Sequence, residues 1–363
     1  MIYLDYQATT PLAPEAFEAM LPWLRDGHAN PHSAHSAGRA AKAAVEVARE
    51  RVAALLPAGG SIAFTSGATE ALNWAIKGTT GPIVTIATEH AAVLDTVEAM
   101  SRQGRAVTVL PVGGDGLVDP MAAAQAIVPG VGLVAAMLVN NETGVIQPIT
   151  EIAALARSAE ALMLCDAVQG YGRVPIPDGC DIIAISAHKI HGPKGIGALW
   201  VRQGIDLEPL LHGGGQEALG RSGTLSPALC AGFGVAAQLM ADRAKADQAH
   251  VDLLASIARQ SFGPGWSING SIAQRYPGNL NLRRDGLDVA RLMSDCRDIA
   301  FSAGSACASG SGRASHVLRA MGLTEAQARA SIRIGFGRYT TQEELMTAID
   351  RIKTAAASQE QLA

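Results

Sequence analysis

The sequence predicts an α/β protein built on a mostly parallel, doubly wound β-sheet. Three observations support this fold class. Seven short apolar runs, rich in β-branched residues, alternate with alanine-rich segments of helical pattern. Hydrophobic residues make up 48% of the 363-residue chain, which excludes a disordered protein. Polar clusters follow five of the runs, and the carboxyl ends of strands are where such sheets bind ligands.

The predicted strands occupy the first part of the chain, in an order that alternates with the helices. They span residues 61–65, 83–87, 107–112, 133–139, 162–165, 181–185 and 196–201. After about residue 243 the alternation weakens into a helix over 242–260, two short strands and a terminal helix from Gln342. This change predicts a second domain.

We therefore expect three parts in the chain. An N-terminal arm (residues 1–15) associates with a small domain, and residues 16–245 form the large domain. Residues 246–363 form a smaller α+β C-terminal domain, which carries a loop of small residues at about 302–313.

Charge and cysteine content limit the classes of function. The net charge is −4 and like charges do not form runs, so no footprint for nucleic acid or for an anionic membrane is expected. Five cysteines, none spaced as Cys-x-x-Cys, suggest neither a disulfide framework nor a metal site. With no secretory leader and no apolar stretch of membrane-spanning length, the sequence predicts a cytoplasmic protein that binds small molecules or other proteins.

Lys189 follows the strand over 181–185 and enters a glycine-punctuated loop. A lysine, with its ordinary pKa of ~10.4, becomes a nucleophile near neutral pH when desolvation or neighbouring cations lower that pKa. A strand end in an α/β crevice supplies both, so Lys189 is a candidate for Schiff-base chemistry. A surface lysine after a strand explains this segment alone equally well.

Two further strand ends offer polar groups. The segment 65–70, Thr-Ser-Gly-Ala-Thr-Glu, follows a strand and opens a helix, so its amides, hydroxyls and dipole could bind a phosphate. Helix capping by Ser66 or Thr69 is the alternative. Asp166 ends an apolar strand, where a carboxylate is costly unless it meets a cation or a bound proton, such as a protonated ring nitrogen. Gln169 could reach the same ring, and a helix N-cap is the alternative for Asp166.

Two histidines lie at strand ends. His90 opens a helix and could stack on an aromatic cofactor or move protons, since its ordinary pKa is ~6.5. His188 adjoins Lys189 and could donate to a phosphate or orient the lysine. Ordinary polar packing is the alternative for each of them.

The C-terminal part offers a thiol and a guanidinium. Cys307 lies in the loop of small residues at 302–313, which could present a thiol without steric shielding, so it is the candidate nucleophile. Arg333 lies among apolar neighbours and could fork onto a carboxylate, with an internal salt bridge as the alternative. Asn30, in a turn, could supply a second polar contact.

Together these segments resemble the pyridoxal-phosphate (PLP) enzymes of aminotransferase class V and, among them, the cysteine desulfurases of the Nif/Isc type. The resemblance covers nearly the whole chain and implies the type I PLP-dependent transferase fold. The matching segments are 3–11, 30–31 with His35, 64–70, 89–90, 140–147, 166–169, 186–197, 212–217, 221–224, 304–307 and 331–341.

The resemblance implies roles for residues around a PLP ring. Lys189 would hold PLP as a Schiff base, and Asp166 would pair with the pyridine nitrogen. Gln169 and Asn141 would bond the side of the ring that carries the hydroxyl. His90 would stack on the ring and assist proton transfer.

The resemblance also implies the phosphate site and a homodimer. Ala68, Thr69, Ser186 and His188 would bind the phosphate, joined by Thr224 from the second subunit.

The implied reaction is cysteine desulfuration. Asn30 and Arg333 would bind the carboxylate of L-cysteine, and Cys307 would attack its sulfur, leaving L-alanine and a Cys307 persulfide. A sulfur-acceptor protein would take the persulfide sulfur for iron-sulfur cluster, other cofactor or tRNA synthesis. The alternatives are a class V aminotransferase or other PLP-dependent lyase acting on a small amino acid, and a PLP-containing scaffold.

Three departures from the family pattern bear on these expectations. Ala218 stands where many relatives have arginine, and Ala187 stands where glycine is usual. The chain ends at Ala363, so we do not expect the C-terminal docking to an iron-sulfur scaffold that Isc relatives use.

Overall fold

The computed structural model describes residues 1–217, 219–304 and 314–360, with the side chain of residue 360 left out. The strands are β1 (Ile2–Tyr3), β2 (Gly60–Thr65), β3 (Ile83–Ile86), β4 (Val107–Leu110), β5 (Leu133–Met137), β6 (Leu162–Asp166), β7 (Ile182–Ser186), β8 (Gly197–Arg202), β9 (Ser267–Ile268), β10 (Asn279–Arg283), β11 (Ile299–Ala300), β12 (Ser302–Ala303) and β13 (Ser331–Gly335). The helices are α1 (Pro14–Arg25), α2 (Ser36–Ala53), α3 (Ala68–Lys77), α4 (Ala91–Arg102), α5 (Pro120–Ala126), α6 (Ile149–Ser158), α7 (Pro227–Phe262), α8 (Val289–Asp295), α9 (His316–Ala320), α10 (Glu325–Arg329) and α11 (Gln342–Glu360).

Strands β2 to β8 form one seven-stranded sheet in the order β2-β8-β7-β6-β5-β3-β4. All neighbours are parallel except β8, which runs antiparallel to both β2 and β7. The predicted mostly parallel seven-stranded sheet is therefore confirmed, with each strand within two residues of its predicted bounds.

Helices cover both faces of this sheet, because successive side chains of a strand point to opposite sides. In β5, Leu133 and Ala135 join the core beneath α3 and α4, whereas Val134 and Ala136 join the larger core beneath α2, α6 and α7. All five residues of β5 are buried, as expected for a strand covered on both faces.

The C-terminal part carries smaller sheets. An antiparallel sheet has the order β12-β13-β10-β9, and β1 pairs in parallel with β11. Helix α7 begins at Pro227 and not at the predicted residue 242, because Ser226 caps its N-terminus and Pro227 occupies the first turn. The predicted domain boundary at 245 lies inside this helix, and the division into domains stays a prediction.

None of the helices in the described ranges is long and apolar enough to span a membrane.

The register of the parallel strands positions the site. Met137 of β5 lies beside Asp166 of β6, which lies beside Ala184 of β7. The segments that follow β3, β5, β6 and β7 therefore leave the sheet at one edge.

Candidate active site

A cavity of about 600 Å³ lies at the carboxyl edge of the seven-stranded sheet. Ten of the residues predicted for the site line it, and they come from segments far apart in sequence. They are Ala68, Thr69, His90, Asn141, Asp166, Gln169, Ser186, His188, Lys189 and Arg333. The structure thus brings these residues together, while their individual roles stay predictions.

Lys189 ends a short 3₁₀ turn directly after β7. Its Nζ donates hydrogen bonds to the carbonyl oxygens of Gln7 (2.6 Å) and Ala8 (2.9 Å). The N-terminal segment therefore reaches the cavity and orients the lysine amine. No role was predicted for Gln7, although it lies in a segment of family resemblance.

Asp166 is buried at the end of β6, and its Oδ1 accepts a hydrogen bond from the Val168 amide (2.9 Å). Burial raises the pKa of Asp166 to about 6, against the lowering effects of that amide and of the Lys189 charge. Turns and not a helix follow Asp166, so the helix-cap alternative is wrong. A positive group in the cavity would favour the ionised carboxylate.

Glu89 is a second buried carboxyl group at this edge of the sheet, and it was not among the predicted site residues. Its Oε1 accepts from the Met137 amide (2.6 Å), and its Oε2 has no hydrogen-bond partner among the described residues. Burial, and then the charge of Asp166, raises the pKa of Glu89 well above its ordinary value. Both causes favour the protonated, neutral form of the Glu89 carboxyl group. The signal available in the sequence was a carboxylate close behind the buried strand β3.

His90 caps α4, and its Nδ1 accepts from the Ala92 amide (3.1 Å). This bond places the proton of the neutral ring on Nε2. Burial, followed by the positive charges of Lys189 and His316, lowers the pKa of His90. The cavity therefore contains a neutral imidazole at pH 7.

The N-terminus of α3 forms one end of the cavity. The first turn of a helix leaves amide donors without partners inside the helix, and Ala68 and Thr69 occupy this turn. The N-cap residue is Gly67, without a side-chain cap, so the capping alternative for Ser66 and Thr69 is wrong. Close packing also requires Gly197 of β8, because a Cβ atom there would lie 2.8 Å from the Gly67 backbone.

An ion pair between Glu70 and Arg221 supports the loop before α3 on the side away from the cavity. Glu70 accepts from the Ser66 amide through Oε2 (2.7 Å) and from Arg221 Nε through Oε1 (2.8 Å). The Arg221 pair and the Ser66 bonds lower the pKa of Glu70 against the effect of burial. The amides that face the cavity are therefore held by groups outside it.

His188 extends the same end of the cavity. Its Nδ1 lies 3.2 Å from Thr9 Oγ1. Burial and the charges of Lys189, Lys194 and Arg173 lower the pKa of His188 to about 4. The ring is therefore neutral at pH 7 and binds as a hydrogen-bonding group.

Arg333 forms the internal salt bridge that was the alternative considered for it. Its side chain is 1% exposed, and Nη2 forms an ion pair with Asp5 (2.7 Å). Nη1 donates to the Asn141 carbonyl (3.1 Å), and the residue also lines the cavity. The internal salt bridge is thus present, and binding of a substrate carboxylate stays a prediction.

Two of the predicted residues that the structure describes do not line this cavity. Asn30 is exposed, and its Oδ1 accepts from the His32 amide (2.9 Å) within a turn. Thr224 is exposed and was predicted to serve the second subunit. Cys307 lies outside the described residues, as does Ala218. The four described cysteines are buried: Cys165, Cys180, Cys230 and Cys296.

The cavity fits PLP in size and in chemistry. Its volume of about 600 Å³ lies within the ordinary range for cofactor pockets. Asp166 is suited to a protonated ring nitrogen, and the first turn of α3 to a phosphate. The Oδ1 atom of Asn141, a lining residue, is buried without a hydrogen-bond partner among the described residues, so a polar ring substituent could satisfy it.

Comparisons with known proteins agree with this geometry. The family model described as aminotransferase class-V matches residues 2–347. A cysteine desulfurase IscS of Rickettsia felis is 43% identical over 368 residues, which cover 97% of this chain and 90% of the relative.

Two solved structures extend the likeness to the fold. A NifS-like protein superposes with a TM-score of 0.90 at 31% identity, covering 98% of this chain and 99% of its own. A structure described as SspA in complex with cysteine has a TM-score of 0.84 at 34% identity, covering 94% and 100%. These likenesses confirm the predicted fold class and PLP as the cofactor. The chain therefore belongs to the aminotransferase class V family, in which its similarity is to the cysteine desulfurases.

Proposed function

We propose that this protein is a cysteine desulfurase, which converts L-cysteine to L-alanine and transfers the sulfur to Cys307 as a persulfide. One observation carries the proposal. Lys189, Asp166 and His90 converge on one PLP-sized cavity in a chain that resembles cysteine desulfurases over nearly its whole length. The class V core alone would also suit an aminotransferase, which the test below separates.

The residues that would hold PLP fall into two groups. Lys189 would bind it covalently, and Asp166 would face its ring nitrogen. The first turn of α3, with Ser186 and His188, would bind the phosphate. When bound, PLP supplies an electron sink that makes bonds to the substrate Cα and Cβ easier to break.

The chain itself supplies the proton handling. The Gln7 and Ala8 carbonyls hold Lys189 Nζ in place, so an amine proton there is stabilised and directed. His90 is neutral, with its Nδ1 occupied by the Ala92 amide. Its Nε2 carries the ring proton, so it would give that proton to the substrate and only then take one back at Nε2.

Arg333 would bind the carboxylate of the substrate, with Asn30 as a second contact. The guanidinium is fixed by Asp5, by the Asn141 carbonyl and by Ser302 Oγ (3.2 Å), so it does not need to be ordered when substrate arrives. A fixed cation of this kind favours a substrate that carries a carboxylate, such as an α-amino acid. The bound cysteine complex of a solved relative is consistent with such a substrate.

The sulfur step balances with Cys307 as the acceptor. Its thiolate attacks the sulfur of bound L-cysteine, so an S–S bond forms and the substrate Cβ–S bond breaks. The electron pair stays with the carbon skeleton, which takes up a proton and leaves as L-alanine. The four described cysteines are buried. The hydrogen bond with Cys180, and then burial, raises the pKa of Cys165, and burial raises the pKa of Cys230, so they are poor alternatives.

We further propose a homodimer and a separate sulfur-acceptor protein in the cytoplasm. Thr224 is exposed and does not line the cavity of its own chain, as expected if it serves a second subunit. Four free cysteines suit a reducing compartment.

Steady-state turnover tests the function. L-cysteine should give equal amounts of alanine and sulfane sulfur with the PLP-loaded protein. Cys307→Ser should retain PLP and release no sulfide, whereas Cys296→Ala, a matched control at a buried cysteine, should keep its activity. Full activity of Cys307→Ser, or amino-group transfer to an added 2-oxo acid without sulfide, would overturn the proposal.

A further inference from the structure

Glu142 is a buried carboxyl group that the proposed chemistry does not use. It follows Asn141, which lines the cavity, and its residue is 2% exposed. Its Oε2 accepts a short hydrogen bond from the hydroxyl of Ser315. A buried carboxyl group is costly, so a specific partner at this point needs an explanation.

Ser315 lies two residues after the undescribed segment 305–313, which contains Cys307. Its Oγ also accepts from the Leu318 amide (3.1 Å), so the residue caps α9 while it donates to Glu142. The next residue, His316, places Nε2 2.9 Å from the Glu89 carbonyl. Two consecutive residues therefore attach this end of the segment to the edge of the seven-stranded sheet.

The other end of the segment reaches the same residue. The Asn281 side chain donates through Nδ2 to the Gly304 carbonyl (3.3 Å) and to the Glu142 carbonyl (3.2 Å). Asn281 Oδ1 is held in turn by Asn269 Nδ2 (2.7 Å). Glu142 thus contacts Ser315 through its side chain and shares Asn281 with Gly304 through its main chain.

The nearby cation does not take over the Glu142 carboxyl group. Arg333 donates hydrogen bonds to Asp5, to Ser302 and to the Asn141 carbonyl. Ser315 is consequently the side chain that hydrogen-bonds the Glu142 carboxyl group among the described residues. The pair joins the Ser315 end of the segment to the loop that supplies Asn141.

We propose that Glu142 is a positioning residue for sulfur transfer, whose carboxyl group fixes Ser315, close after the Cys307 segment, relative to Asn141 in the cavity. The inference rests on the proposed function, because Cys307 matters only if it accepts the sulfur. It assigns Glu142 no contact with substrate or cofactor.

The test compares Glu142→Ala, Glu142→Gln and Ser315→Ala in the PLP-loaded protein. Thr324→Ala is the matched control, since Thr324 caps the neighbouring helix α10 without contacting Glu142. We expect kcat to fall about tenfold or more in Glu142→Ala and Ser315→Ala, with KM for L-cysteine within about twofold and full PLP content. Glu142→Gln, which keeps an acceptor for Ser315, should recover most of the rate.

Two further readouts separate positioning from general damage. Alkylation of Cys307 by iodoacetamide, followed by mass spectrometry, should be at least as fast as in the wild type, because the thiol itself is intact. The double variant Glu142→Ala/Ser315→Ala should be no slower than either single variant, because one interaction is removed.

The outcomes are distinct. If the wild type forms no sulfane sulfur, the proposed function fails. If the wild type is active and Ser315→Ala matches Thr324→Ala in kcat, this inference alone fails. If Glu142→Ala loses PLP or does not fold, Ser315→Ala is the deciding variant. If kcat of Ser315→Ala falls only in proportion to its loss of PLP, the inference is also overturned.

Discussion

The Glu142 carboxyl group should make the free energy of unfolding decrease with rising pH, and the substitution Glu142→Gln should remove this contribution. Burial raises the pKa of Glu142 from 4.5 to about 7, against the lowering effects of the Ser315 hydrogen bond and the Arg333 charge. In the pH range between these values, the folded protein keeps a proton that the unfolded chain has lost. The free energy of unfolding therefore falls as pH rises through this range.

The size of the effect follows from the shift. A pKa change from 4.5 to about 7 corresponds to about 3 kcal/mol. As the pH rises from 4.5 to 8, the free energy of unfolding of Glu142→Gln should therefore increase by this amount relative to that of the wild type. Above pH 7 the difference between the two proteins should become constant, because Glu142 is then ionised in both states. Glutamine keeps an acceptor for Ser315, so the comparison isolates the charge.

Urea unfolding of both PLP-loaded proteins at several pH values measures this difference. Taking the difference between the two proteins removes contributions that they share, including those of Glu89 and Asp166. A difference that stays constant from pH 5 to pH 8 would refute the reasoning, since Glu142 would then have an ordinary pKa. A difference that changes in the opposite direction would show that the carboxylate is stabilised as an anion.

Three further predictions concern the cavity. Asp166→Asn should retain PLP but form alanine about tenfold to a hundredfold more slowly, because a charge-assisted bond to the ring nitrogen is lost; alanine assay and absorbance check this. Gly197→Ala should weaken PLP binding in equilibrium dialysis, since its methyl group would lie 2.6 Å from the Ile185 carbonyl oxygen and 2.8 Å from the Gly67 backbone, whereas Gly114→Ala, with its nearest contact at 3.8 Å, should not. His90→Ala should lower kcat by about a hundredfold or more, and a rate within twofold of the wild type would contradict its part in proton transfer.

The strand ends explain why much of the site was predictable from sequence. Asp166 and Lys189 each follow a buried apolar strand, and parallel strands bring their carboxyl ends to one edge. Local pattern was sufficient there, because the position of each residue depends on its own strand.

Other features depend on partners that are distant in sequence. The Asp5–Arg333 pair joins residues separated by 328 positions, and Ser315 lies 173 positions from Glu142. Local pattern gives no information on such pairs, so the sequence offered a salt bridge for Arg333 without its partner Asp5, and no role for Glu142. The start of α7 at Pro227 was predicted too late for a different reason. Its first fifteen residues are mostly small, and they show no clear helical pattern of apolar residues.

Single-turnover mass spectrometry tests the central claim most directly. The PLP-loaded protein is mixed with one equivalent of L-cysteine per subunit, then quenched with an alkylating agent and digested. The account predicts one alanine per subunit and one additional sulfur atom on the peptide that contains Cys307. Alanine formed without sulfur on that peptide, or sulfur on the peptide of Cys165, Cys180, Cys230 or Cys296, would contradict it.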